Sequence, residues 1–112
     1  MDKDKAAILQ GTLDLLVLKT VETMGPLHGW AIAKRIELVS QDLLELKYGT
    51  LYPALIRLEQ SGWISSEWGT SENNRRARFY SITRQGRKQL ALEAKNWEQM
   101  AAFITRMLGR TR

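Results

Sequence analysis

The sequence predicts a mainly α-helical fold that contains one two-stranded β-hairpin. Three observations support this prediction. Apolar residues recur at helical spacing through most of the chain, two short runs of β-branched and aromatic residues flank a polar loop, and the C-terminal part repeats apolar residues four and three apart. With 112 residues, 44% of them hydrophobic, the chain is long enough for one domain with a core.

Two helices are predicted before residue 40. Dense apolar residues over Ile8–Met24 predict a largely buried helix, and Gly25-Pro26 ends it because proline cannot continue a helix. A shorter helix follows the turn at His28-Gly29. Its predicted inward residues are Trp30, Ala33, Ile36 and either Val39 or Ser40.

A third helix is predicted to begin near residues 48–50 and to end at Ser61-Gly62. Pro53 sets this start, because proline is tolerated only in the first turn of a helix. The predicted inward stripe is Leu51, Leu55 and Leu58. The opposite face carries Gly49, Thr50, Pro53, Ile56, Arg57 and Gln60.

Two strands and a last helix complete the prediction. Residues 63–68 and 78–83 have strand composition, and the polar stretch 69–77 between them predicts an antiparallel hairpin with a long basic tip. From Arg84 onward, a heptad seam predicts a helix that dimerises. The residues of this seam are Leu90, Ala94, Trp97, Ala101, Ile104 and Leu108.

Composition excludes several classes of function. The chain has no cysteine and one histidine, which excludes a disulfide scaffold, a thiolate metal site and a multi-histidine centre. It shows neither a serine–base pairing nor a glycine-rich phosphate loop, so we expect no enzyme, no cofactor and no metal. No apolar run is long enough to span a bilayer, and we expect a cytoplasmic protein without a membrane partner.

The positive charge is concentrated in one segment. The net charge is +5, and the segment from Asn73 to Leu92 contains six basic residues and no acidic one. The rest of the chain is slightly more acidic than basic. A local basic segment favours a polyanionic partner, and a solvated surface loop is the alternative.

Three helices followed by a basic hairpin is the order of a winged helix-turn-helix. In this arrangement the third helix enters the major groove, and hairpin arginines lie along phosphates or in the minor groove. We therefore predict a DNA-binding domain over residues 1–83 and a dimerisation helix over residues 84–112. A winged-helix module that binds an acidic protein partner is the alternative.

Three sequence elements resemble the PadR family of bacterial transcriptional regulators. They are the run from Gly49 to Ile64, the segment from Arg75 to Gly86, and His28-Gly29-Trp30, where the family more often has tyrosine in the last position. The resemblance covers residues 8–108. Its short C-terminal part resembles the compact branch of the family, which forms homodimers through the last helix.

Position and resemblance together predict the residues that contact double-stranded DNA. They are His28, Lys47, Tyr48, Gly49, Thr50, Tyr52, Pro53, Arg57, Arg75, Arg76 and Arg78. The alternatives are that Tyr52 packs between helix and wing, that Thr50 caps its helix, that Arg57 pairs with Glu59 or another acid, and that His28 is a turn residue.

The same resemblance implies how such a regulator works. We expect a repressor that binds a palindromic operator as a homodimer. Multidrug-sensing relatives hold planar molecules between aromatic residues at the dimer axis, which suggests a planar hydrophobic effector here. Its predicted site consists of Leu15, Trp97 and Met100, and the alternative role of Trp97 is simple dimer core.

Overall fold

The structure is a computed structural model that describes residues 2–110, with side chains described from residue 12 onward. Its elements are α1 (Asp2–Met24), β1 (Leu27–His28), α2 (Gly29–Val39), α3 (Tyr48–Gln60), β2 (Ile64–Thr70), β3 (Arg76–Ile82) and α4 (Arg84–Met107). The prediction of a mainly helical fold with a β-hairpin is confirmed. The side chains of Ile8 and Leu9, predicted to be buried in α1, lie outside the described residues, as do residues 111–112 of the predicted last helix.

Three helices and one face of the sheet enclose the core. The predicted inward stripe of α3 is confirmed, since Leu51, Leu55 and Leu58 are wholly buried. Val17 and Leu18 of α1 meet them in the same apolar cluster. Because burial of a leucine side chain contributes about 2 kcal/mol, this stripe fixes which face of α3 points outward.

The inward face of α2 differs from the prediction. Trp30 and Val39 were expected to be buried, but both are 64% exposed, and Ile32 takes the buried position together with Ala33 and Ile36. Trp30 precedes Ile32 by two residues and therefore lies about 200° around the helix. Ala33 and Ile36 of the predicted stripe are buried as expected, whereas the placement of Trp30 and Val39 was wrong; Ser40, the alternative to Val39, is half-buried.

A short strand that the sequence did not predict completes a three-stranded sheet. The strand β1 pairs antiparallel with β3, Leu27 opposite Tyr80 and His28 opposite Phe79, which gives the order β1-β3-β2. Two residues are too few to show an alternating pattern. His28 also caps α2, because its Nδ1 accepts a hydrogen bond from the Ala31 N–H at 3.3 Å.

The hairpin of β2 and β3, with its loop at residues 71–75, is called the wing. Its strands extend beyond the predicted limits, to Thr70 in β2 and back to Arg76 in β3, so the loop is shorter than the predicted stretch 69–77. Gly69 pairs with Ala77 within the sheet, and the Phe79 ring lies over it, so that a Cβ on Gly69 would stand 2.9 Å from that ring.

The last helix, α4, joins the domain at its first turns and packs against α1. Thr83 caps α4 by accepting from the Gly86 N–H at 2.9 Å, and its hydroxyl donates to the Gly62 carbonyl at 2.7 Å. Leu90 is buried in the chain's own core. Beyond Leu90 the large apolar residues of α4 are exposed, among them Trp97 and Ile104.

We predict that Gly86→Ala destabilises the fold. A Cβ at position 86 would stand 1.9 Å from the Trp63 carbonyl oxygen, so the backbone must shift, and we expect a loss of about 2 kcal/mol in the free energy of unfolding. Urea unfolding followed by circular dichroism at 222 nm measures this loss.

Gly49→Ala is the matched control, because Gly49 also lies in the first turn of a helix and a Cβ there would meet nothing within 4 Å. Both substitutions gain helix propensity, which is worth up to about 1 kcal/mol. We expect Gly49→Ala to be as stable as the wild type or more so. Equal stabilities of the two variants would contradict the clash at position 86.

Candidate nucleic-acid interface

A groove of about 660 Å³ separates the N-terminal turns of α2 and α3 from the wing. Predicted DNA-binding residues from three separate parts of the chain line it: His28, Tyr48, Tyr52, Arg76 and Arg78. The exposed N-terminal turn of α3 therefore lies beside the arginine-bearing hairpin. One polyanionic strand can contact both elements in this arrangement.

Two tyrosines form the α3 side of the groove. The rings of Tyr48 and Tyr52 lie 5.3 Å apart between centroids, and both are about half exposed. The Tyr48 ring also covers Gly29, where a Cβ would stand 2.6 Å from the ring. Burial, and secondarily the neighbouring Tyr52, raises the pKa of Tyr48 above its usual value of 10.0. Like any tyrosine at neutral pH, Tyr48 carries a hydroxyl that can donate a hydrogen bond to a phosphate.

The outward face of α3 is open at its first turn. Lys47 occupies the N-cap position without a side-chain capping bond, and Gly49 is exposed in the first turn. Pro53 is also exposed, but it is the sixth residue of α3 and lies inside the helix, so the prediction that it falls in the first turn was wrong. Thr50 donates its backbone N–H to the Lys47 carbonyl at 2.9 Å, so Thr50 lies inside the helix and is not its N-cap. The helix therefore presents a small, uncrowded face to solvent.

Arg57, one turn further along α3, is held by an acid. Its guanidinium forms a hydrogen-bonded ion pair with Asp14 of α1. From the sequence, Arg57 could contact DNA or pair with a surface acid, and in this structure it pairs with an acid. The partner is Asp14 rather than Glu59, which a comparison of positions within α3 alone could not indicate.

The three wing arginines have different environments. Arg75 is exposed in the loop. Arg76 lies over the Trp68 ring, with its Cζ 4.7 Å from the centroid. Arg78 is half-buried and donates to Ser66 Oγ from Nε at 3.0 Å and from Nη2 at 2.6 Å. Arg75 and Arg76 are thus free of acidic partners among the described contacts, whereas Arg78 is already engaged within the protein.

His28 lies at the wall of the groove and is used by the fold itself. Besides capping α2, its ring meets the Phe79 ring edge-on at 5.4 Å between centroids. Within residues 12–110, whose side chains are described, no group of three or more histidine, cysteine, aspartate or glutamate residues could hold a metal ion. The capping bond and the contact with Phe79 give His28 a turn and packing role in this fold.

Sequence reasoning missed two tryptophans and a lysine of this groove. Trp30 lies with its ring 5.4 Å from Lys34 Nζ, and Trp68 lies on the wing opposite Arg78. Trp30 was predicted to face the core, and for that reason it was not expected in this groove. The alternation of Ser66, Trp68 and Thr70 along β2 could have placed Trp68 on the face of Arg76 and Arg78, because directly paired residues share a face.

A second groove, of about 400 Å³, lies between α1 and α2 and has an almost wholly apolar lining. Its residues include Leu16, Met24, Ile36, Val39 and Leu44. The predicted effector residues are placed elsewhere. Trp97 and Met100 lie on the exposed part of α4, and Leu15 is half-buried on α1.

The helices, the wing and the basic, aromatic groove together define a winged-helix DNA-binding protein. Residues 17–92 match the model of the transcriptional regulator PadR-like family. The chain belongs to this family, and DNA binding and transcription regulation are its class of function. The family comprises transcriptional regulators rather than enzymes.

Solved structures and a curated protein are similar to this chain over most of its length. A transcriptional regulator from Clostridium thermocellum is 31% identical with a TM-score of 0.80, and the match covers 89% of this chain and 96% of that one. A PadR family transcription regulator from Clostridium difficile is 26% identical with a TM-score of 0.72, covering 86% and 97%. An uncharacterized protein of Lysinibacillus sphaericus is 25% identical over 100 residues, which cover 89% of this chain and 91% of the relative.

Among the described residues, no helix is long and apolar enough to cross a membrane.

Proposed function

We propose that this chain is a cytoplasmic, homodimeric repressor that binds a palindromic operator. Each subunit places the N-terminal turn of α3 in a major groove and its wing on the flanking backbone. The observation that carries this proposal is the groove itself, which has the open first turn of α3 on one side and Arg76 on the other.

The side chains of the groove suit a duplex. The exposed face of α3 at Gly49 leaves room for close approach, since nothing in the chain lies within 4 Å of a Cβ built there. Tyr48 supplies a hydroxyl donor beside it, and Arg75 and Arg76 supply charge at the other end. Hydroxyl groups and arginines are common partners of phosphate oxygens.

A titration with labelled duplex tests DNA binding. We expect duplex from upstream of the chain's own gene to bind more tightly than scrambled duplex, with an affinity that falls steeply with salt, because each phosphate contact adds about 0.9 to the slope. Gly49→Ala should remain folded and bind roughly tenfold more weakly, the equivalent of ~1.4 kcal/mol.

Gln60→Ala, at the far end of the exposed face of α3, is the control and should bind like the wild type. Equal binding to native and scrambled duplex would contradict recognition of this operator. Absence of binding at low salt would favour the alternative, a module that binds an acidic protein partner.

Dimerisation is proposed through the exposed part of α4. Large apolar side chains there are about half exposed or more, and contiguous apolar surface of this kind marks an interface. They include Trp97, Met100, Phe103, Ile104 and Met107. Ala94, Ala101 and Leu108 of the predicted seam remain part of this proposed interface, whereas Leu90 is used by the chain's own core.

We expect Trp97→Glu to give monomers, because the substitution places a charge in an apolar seam. Sedimentation velocity over a range of concentrations measures the change. Gln99→Glu adds the same charge at a neighbouring exposed position and should leave the dimer intact. A Trp97→Glu dimer that persists at low concentration would show that the interface lies elsewhere.

The effector proposal uses the same surface. Two Trp97 side chains near the dimer axis, with Leu15 and Met100 as walls, would sandwich a planar hydrophobic molecule. Trp97 and Met100 support this proposal because both are exposed on α4 in the single chain. Since coupling between two sites is reciprocal, effector and DNA should weaken each other's binding.

We expect quinoline, naphthalene or flavone to quench the tryptophan fluorescence of the wild type, and not that of Trp97→Leu. A quenching compound should also lower the affinity for DNA. Indifference of the wild-type fluorescence to all three would contradict a planar aromatic site. A compound that binds and leaves the DNA affinity unchanged would contradict its regulatory role.

A further inference from the structure

A continuous chain of contacts connects α3 to the tip of the wing. It begins at Glu59 of α3, whose Oε2 accepts from Ser66 Oγ at 2.7 Å. Ser66 Oγ in turn accepts both hydrogen bonds from Arg78, and Arg78 Nη2 lies 3.8 Å from Glu59 Oε2. We call this chain of contacts, together with Trp68 and Arg76, the wing stack.

The outer half of the wing stack is built on Trp68. Arg78 Cζ lies 5.1 Å from the centroid of the Trp68 ring, and Arg76 Cζ lies 4.7 Å from it. The strand register explains this arrangement, since Trp68 is paired with Arg78 and Thr70 with Arg76, so that all these side chains share one face. A guanidinium within about 6 Å of an indole centroid is attracted to the face of the ring.

In the part of the wing stack nearest α3, formed by Glu59, Ser66 and Arg78, the hydroxyl and the charged groups all have partners. The Ser66 hydroxyl donates once and accepts twice, which uses all the hydrogen bonds that it can form. The charge of Arg78 is balanced by Glu59. Arg78 therefore links Trp68 to α3, whereas Arg76, which also lies over the Trp68 ring, is exposed and forms no ion pair among the residues whose side chains the structure describes.

We propose that Trp68 is a positioning residue for DNA binding, which holds the Arg76 guanidinium at a set distance from α3 so that it meets the duplex already oriented. This inference rests on the proposed DNA-binding function and names how one of its contacts is organised. A long arginine side chain loses rotamer freedom when it binds. A ring that restricts the side chain beforehand lowers that loss.

The loop residue Arg75 provides the comparison within the same protein. It has the same charge and neighbours Arg76, and its exposed position in the loop is outside the wing stack. If preorganisation by Trp68 matters, substitutions of Arg76 depend on Trp68 and substitutions of Arg75 do not. Residues that share a contact show this non-additivity, and independent residues do not.

The test is a double-mutant cycle on DNA affinity with labelled operator duplex. We expect Arg76→Gln to weaken binding by roughly fivefold in the wild type and by less than about twofold in Trp68→Leu, because the stack is already lost there. Arg75→Gln should weaken binding by the same factor in both backgrounds. Trp68→Tyr keeps an aromatic face and should restore the dependence on Arg76.

Two controls separate positioning from folding. Trp68 is 55% exposed, so Trp68→Leu should unfold at nearly the wild-type temperature. If that variant does not fold, Arg76→Lys replaces it: lysine keeps the charge and loses the planar face, so it should bind more weakly than wild type, while Arg75→Lys should not. Wild-type affinity of Arg76→Lys would overturn the proposal.

A measurement without DNA tests the stack directly. In nuclear magnetic resonance spectra, the Hε proton of Arg76 should be shifted upfield by the Trp68 ring and should return toward the free arginine position in Trp68→Leu. An unshifted Hε, or equal effects of Arg76→Gln in both backgrounds, would overturn the positioning role alone. Failure of the wild type to bind any duplex would overturn the proposed DNA-binding function and this role with it.

Discussion

Burial of three leucines in α3 is the constraint on which the functional surface depends. Leu51, Leu55 and Leu58 are wholly buried against α1 and α2, and their common side sets the rotation of α3 about its axis. Because 3.6 residues make one turn, Gly49 and Pro53 must then face away from the core. The open first turn of α3 is therefore a consequence of packing on its other side. The sheet adds Ile64 and Tyr80 to the same core and so fixes where the wing begins.

Much of the fold could be predicted because its strongest signals are local. The inward stripe of α3 followed from leucine spacing, and the cap at Gly25-Pro26 ended α1 at Met24. The predicted start of α3 agrees with Tyr48, although Pro53, on which it was based, lies beyond the first turn. Each of these features depends on the chemistry of a few neighbouring residues. The hairpin was predicted for the same reason, although its strands are longer than their composition indicated.

The features that could not be predicted depend on pairing between distant segments. The strand β1 exists because Leu27 meets Tyr80, far along the chain. Trp30 and Ile32 each fitted a helical spacing, and only the neighbouring helices select the phase in which Ile32 is buried. Likewise, three arginines in the wing look equivalent in the sequence. The strand register and Glu59 engage Arg78 in contacts within the protein and leave Arg75 and Arg76 exposed.

The junction between β3 and α4 has a mechanical consequence. One residue, Thr83, separates Ile82 from Arg84, and its hydroxyl is bonded to the turn after α3 through the Gly62 carbonyl. Because a single residue connects β3 to α4, and because that residue is hydrogen-bonded to the turn after α3, the start of α4 is held in a fixed position on the domain. In the proposed dimer, a small change in the angle between the two α4 helices therefore produces a larger displacement of the two domains attached to them. The spacing of the two α3 helices would then be set by the proposed interface between the α4 helices.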